Sequence, residues 1–145
     1  MVLVARALAA SLGRYAVSVA QVDAQLKAMV RCINCPGGPW DVGLMLTTND
    51  HIQHLNRKYR NKNRPTDILS FPAHKISRPG RFPVVRLRAE RDLGDMYISL
   101  PYVQQQCDDP EKDEIVSLET RMPILLAHGL CHLMGYVSAA HSTTA

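Results

Sequence analysis

The run His128-Gly129-Leu130-Cys131-His132-Leu133-Met134-Gly135-Tyr136 sets two histidines four residues apart on one helix face and closes that helix with a glycine. Two imidazoles so spaced suit a single metal ion. A catalytic zinc takes three protein ligands and keeps a position open for water, so a third donor is expected just beyond the glycine turn. His141 is the histidine that follows. Upstream, Ile115, Leu118, Met122, Leu125 and Leu126 are spaced for a buried helix ending at Met134, with Pro123 inside it. Proline in a regular helix interior costs about 3 kcal/mol, so the helix is expected either to kink at Pro123 or to begin there, where proline suits a first turn.

The other elements follow from short-range patterns. Val2-Leu3-Val4 reads as a first strand, and Val19, Val22, Leu26, Met29 and Val30 as the apolar stripe of a helix. The same stretch carries Arg6 and Arg14 and no acid before Asp23, which is also how a mitochondrial presequence reads; the structural reading is preferred. Val42, Leu44 and Leu46 alternate in a strand, Thr47-Thr48-Asn49-Asp50 supplies a turn and an N-cap, and Ile52, Leu55 and Tyr59 share one face of the next helix. Ile68 to Phe71 reads as a short strand stopped by Pro72. Ala73 to Asp92 reads as a long loop, and Leu93 to Ser99 as a further strand in which Gly94 marks a bulge or a close approach of backbone. A short helix is expected through Tyr102 to Gln106.

A length of 145 residues, 46% of them hydrophobic, supports one domain, and no apolar stretch is long enough to cross a bilayer. Charge is unevenly placed. Between Arg57 and Arg91 stand eleven of the seventeen cations against two acids, Asp67 and Glu90. That segment carries +9 and the remainder −5, six cations against eleven acids. A polyanion is one natural partner for such a segment; a solvated loop is the other reading. The four cysteines are too sparse for a secreted disulfide framework and point to a reducing compartment, mitochondrial or nuclear and cytoplasmic. The Cys32-Ile33-Asn34-Cys35 pair is taken as incidental.

Three blocks, in order and at matching spacing, resemble the YbeY family of single-strand-specific, metal-dependent endoribonucleases of ribosomal RNA processing. They are Asn56 to Pro72, containing Pro65-Thr66-Asp67-Ile68-Leu69-Ser70-Phe71-Pro72; Leu93 to Ser99; and His128 to Tyr136. A lone HxxxH is weak, but the three blocks together are specific. The resemblance implies an α+β fold, a mixed four-stranded sheet packed with helices, similar to the zinc-metalloprotease architecture around the metal helix. It also implies that His128 and His132 are ligands to a zinc-like ion.

In the family a third histidine falls six residues after the second; here that position is Ser138, preceded by Val137. Either His141 swings back to serve, or residues 137–145 form a divergent tail beyond a domain of residues 1–136 and the site keeps two ligands; the second is preferred, because nothing polar around His141 fixes its ring. Peptidases of the HExxH type carry a glutamate where this chain has Gly129, so the peptidase reading lacks its general base.

By resemblance, Arg60 is the arginine that contacts the scissile phosphate, and its basic neighbours Arg57, Lys58, Lys62 and Arg64 are read as binding the nucleic acid. Asp67 is read as capping the turn that Pro65 and Thr66 open or as orienting a ligand, the turn role being preferred, while Asp95 and Ser99 read equally as lining the cleft or as structural strand residues. His51, His54 and His74 are read as surface or helix-face residues, His54 within reach of RNA. The expected function is a zinc-dependent endoribonuclease acting on single-stranded, ribosomal RNA, with ribosomal proteins as further partners and no membrane. The alternative is a form of the same fold that binds RNA or the ribosome without cutting.

Overall fold

A computed structural model describes residues 1–111 and 116–136. Its elements are β1 (Val2–Val4), α1 (Arg6–Ala9), α2 (Val19–Cys32), β2 (Asp41–Thr47), α3 (Asn49–Arg60), β3 (Ile68–Pro72), β4 (Asp92–Ser99), α4 (Leu100–Cys107) and α5 (Leu118–Leu133). Single 3-10 turns lie at Leu12–Arg14 and Arg88–Glu90, the second inside the expected loop. The described strands form one four-stranded sheet in the order β1-β2-β4-β3, with β1, β2 and β4 parallel and β3 antiparallel to β4. This is the α+β, mixed-sheet architecture expected from the sequence. No helix of the described residues is long and apolar enough to cross a membrane.

Alternation along the strands gives the sheet two unlike faces. Leu44, Leu46, Met96 and Ile98 turn to one side and join Val22, Leu26 and Val30 of α2 and Leu125, Leu126, Leu130 and Leu133 of α5 in the main core. Asp95 and Tyr97 turn to the other, where α3 packs and seals its seam with the fully buried Ile52. Val2–Val4 is thus a structural strand, in register with Leu44 to Leu46.

Glycines permit two close approaches. Gly94 has φ +124, and a Cβ there would meet the Phe71 carbonyl; beside it the β2–β4 register slips, Asp41 pairing with Asp92 but Gly43 with Asp95. The bulge and the close backbone contact are both present. Gly129 lets α5 press onto β3 and β4: a Cβ there would meet Met96 Sδ, and Ile68 Cδ1 at 2.9 Å.

Helix α5 decides between the two alternatives at Pro123. It does not start at Pro123: the Ser117 hydroxyl caps it by accepting from Thr120 N–H at 3.1 Å, and the helix runs through Pro123 to Leu133. Its buried residues Leu118, Met122, Leu125, Leu126, Leu130 and Leu133 supply the packing that offsets a proline there. Ile115, the first residue of the expected apolar stripe, lies outside the described residues.

Candidate functional site

Helix α5 ends as its glycine predicts. Gly135 sits at φ +91, its N–H donating to the His132 carbonyl at 3.1 Å and the Tyr136 N–H to the Cys131 carbonyl at 3.0 Å. This pair of bonds is a Schellman closure, and it fixes the last turn, where His132 sits. His128 and His132 lie one turn apart, ring centroids 4.5 Å from each other, with their Nε2 atoms 2.9 Å apart. Both rings open into a cleft of about 710 Å³ whose other walls are β3, the chain after it and Arg60.

The donors present suit a zinc-class ion as far as they go: two imidazole nitrogens converge on one spot in a cleft. Beneath the cleft the Ser70 hydroxyl is buried against α5 at Gly129 and has no hydrogen-bond partner among the described residues. Among the described residues no group of three His, Cys, Asp or Glu forms a complete ligand set. His141 and Ser138 lie outside the described residues.

Gly129 bears directly on the reaction class. Met96, Ile68 and the Ser70 hydroxyl pack where its side chain would start, so any larger residue at this position must displace them. The residue that would be the peptidase base is a glycine here, and its packing favours that choice.

Arg60 is placed by the end of α3. Thr48 caps the helix start by accepting from His51 N–H at 3.4 Å, and the cations Arg57, Lys58 and Arg60 fall in the last turn, where the helix dipole favours them. Asn61 ends the helix in a left-handed conformation, φ 57. The buried Asn56 then donates from Nδ2 to the Arg64 carbonyl at 2.9 Å, pinning the turn that carries Lys62 and Arg64. Odd-numbered residues of β3 bond to β4, as the Ser99 N–H to Asp67 carbonyl and Ala73 N–H to Leu93 carbonyl contacts show. Even-numbered Ser70 accordingly turns its carbonyl to the open edge. Arg60 Nη2 donates to that carbonyl at 2.8 Å, so its guanidinium sits on the cleft rim.

Of the residues singled out from sequence, His128, His132, Arg60 and Asp67 line this cleft. Asp67 accepts from the Ile68 N–H at 2.7 Å and from the Thr66 hydroxyl at 3.4 Å, and pairs with Arg121 at 3.7 Å. Arg57, Lys58 and Arg64 are exposed and Lys62 is half-buried, and none of the four lines the cleft. Asp95 and Ser99 do not line it. Ser99 is fully buried, its hydroxyl donating to Asn49 Oδ1 at 2.7 Å, and Asp95 stands on the opposite face, where burial, then Asp92, raises its carboxyl above the usual range.

His74, read from sequence as a surface residue, is a cleft-wall residue: half-buried, edge-on to Trp40, its Nε2 2.7 Å from the Glu90 carbonyl. Lys75 and Ile76 follow it along the same wall. Cys32 is exposed and Cys35 buried, and burial pushes the Cys35 thiol pKa up, in keeping with an incidental pair.

The chain is similar to known proteins in sequence and in fold. The family described as Endoribonuclease YbeY matches residues 11–144. An Endoribonuclease YbeY of Homo sapiens is 38% identical over 106 residues, 73% of this chain and 59% of its own. One from Persephonella marina is 36% identical, covering 66% of this chain and 55% of its own. This chain therefore spans little more than half the length of these relatives. A solution structure of a Thermotoga maritima protein superposes with a TM-score of 0.52 at 19% identity, covering 100% of this chain and 79% of that one, a likeness of fold.

Proposed function

This chain belongs to the YbeY family, and from that premise we propose that it is a zinc-dependent endoribonuclease acting on single-stranded RNA, ribosomal RNA in particular. The observation that carries the reading is the convergence of His128 and His132 Nε2, 2.9 Å apart, in a cleft whose rim is held by Arg60. His128 and His132 would hold the ion, which when bound lowers the pKa of a water to about 7 and polarises a phosphoryl oxygen.

The remaining roles belong to the protein. Arg60 presents a guanidinium fork fixed by the Ser70 carbonyl, suited to binding a phosphodiester and stabilising charge that develops on it. The cations at the end of α3 hold the flanking phosphates. Ribosomal proteins are further partners in this reading.

Zinc per purified chain, measured by elemental analysis beside cleavage of a single-stranded RNA, tests the proposal. About one zinc per chain, lost together with cleavage in His132→Ala, is the expected result; His141→Ala reports whether the third donor comes from the tail. RNA binding with neither zinc nor cleavage overturns the nuclease reading in favour of a non-cutting binder.

A further inference from the structure

Opposite the core, the sheet carries a row of rings that the cleft does not use. His51 meets Tyr97 edge-on with centroids 5.9 Å apart, Tyr97 meets Phe71 at 5.8 Å, and Phe71 meets Tyr59 at 5.2 Å. Two cations sit on this row: Arg60 Cζ lies 5.1 Å from the Phe71 ring centre and Lys58 Nζ 5.2 Å from that of Tyr59. Helix α3 does not need these rings to close its seam with the sheet, because Ile52 is fully buried and Leu69 nearly so. The row instead stays open. Tyr59 is 54% exposed, His51, Phe71 and Tyr97 are half-buried, and Leu3 at 48% and Asp95 are exposed on the same face.

We propose that this face is a base-stacking platform for single-stranded RNA, made by Tyr59, Phe71, Tyr97 and His51 with Lys58 and Arg60 along its outer edge. The proposal rests on the RNA reading above. Rings interleaved with cations match a polynucleotide in both its parts, since every base has a π-face and every linkage a negative charge. The charges are also sorted by side. Arg60 is bonded to the Ser70 carbonyl at the open edge of β3, whereas Asp95 is the cross-strand neighbour of Phe71 on β4. Phosphates therefore run along the outer, cationic side, and bases lie inward, where the Asp95 carboxylate accepts from amino groups.

Arg60 belongs to both places, lining the cleft and standing over Phe71. A strand leaving the histidine cleft crosses the β3 edge at Arg60 and reaches the rings directly. Duplex RNA hides its base faces, so the platform also supplies a reason for preferring single strands.

The test is fluorescence anisotropy with a chelator present, comparing a short labelled single-stranded RNA, an abasic strand of equal length, and the Tyr59→Leu chain. The expected result is that the RNA binds roughly tenfold or more tighter than the abasic strand. Tyr59→Leu removes much of that difference and leaves abasic binding unchanged. RNA binding that matches the abasic strand, or that Tyr59→Leu does not weaken, overturns the platform while leaving an RNA-binding cleft intact. Failure of the unaltered chain to bind either strand at low salt overturns the RNA reading itself, and the platform with it.

Discussion

The two faces of the sheet do opposite things with the same strands. Against α5, Met96, Ile98, Leu126 and Leu133 are fully buried, and even Gly129 has no spare volume. Against α3, fully buried Ile52 and nearly buried Leu69 seal the seam, and around them lie half-open rings and exposed cations. Close packing fixes positions, so the face toward α5 suits a pair of histidines whose nitrogens must meet at one point. A partly open surface of rings and flexible cations tolerates varied sequence, which suits holding a strand and not reacting with it.

Mutations should separate the faces by size of effect. Leu126→Ala on the packed side is expected to cost about 2–5 kcal/mol in chemical denaturation, whereas Tyr59→Leu on the open side should stay within about 0.5 kcal/mol. Equal losses would break the contrast. Gly129→Ala sharpens it, since alanine gains about 1 kcal/mol in helix propensity but must displace Met96 Sδ and Ile68 Cδ1, an overpacking cost of about 1–3 kcal/mol. A net loss is expected, with zinc uptake reduced if α5 shifts.

The smallest effect concerns pH. Burial and Asp92 raise the Asp95 pKa above its ordinary 3.8, so the folded chain holds this proton more tightly than the unfolded one. Its contribution is fully present below pH 3.8 and is lost as pH rises through the folded value. Asp95→Asn should therefore stabilise slightly at neutral pH, with the gain vanishing in acid, as thermal melts across that range would show.

Legibility from sequence followed how local each cause was. The N-cap Thr48, the apolar alternation of β2, the terminating Gly135 and the spacing of His128 and His132 are set by neighbours in the chain, and all were readable there. The choice between a start at Pro123 and a helix running through it was not, because a proline's local cost is outweighed by burial that only the folded core reveals. His74 carried no local signal: the Trp40 ring and Glu90 carbonyl that place it are distant in sequence. Ser70 could have been found, since alternation puts it on the face of Ile68, a small polar residue where an apolar one is expected. The ring row was out of reach, assembled as it is from α3, β3 and β4.

Gly80 N–H donates to the Met134 carbonyl at 2.9 Å, and Gly135 packs on Ile76, so the arginine-rich loop between β3 and β4 is fastened at its midpoint to the end of α5. Strand β4 is meanwhile laddered to β2 on one side and β3 on the other. A trypsin nick after the exposed Arg86 would leave two polypeptides with every one of these contacts intact. Such a cut chain should elute as a single particle and part into halves only in denaturant.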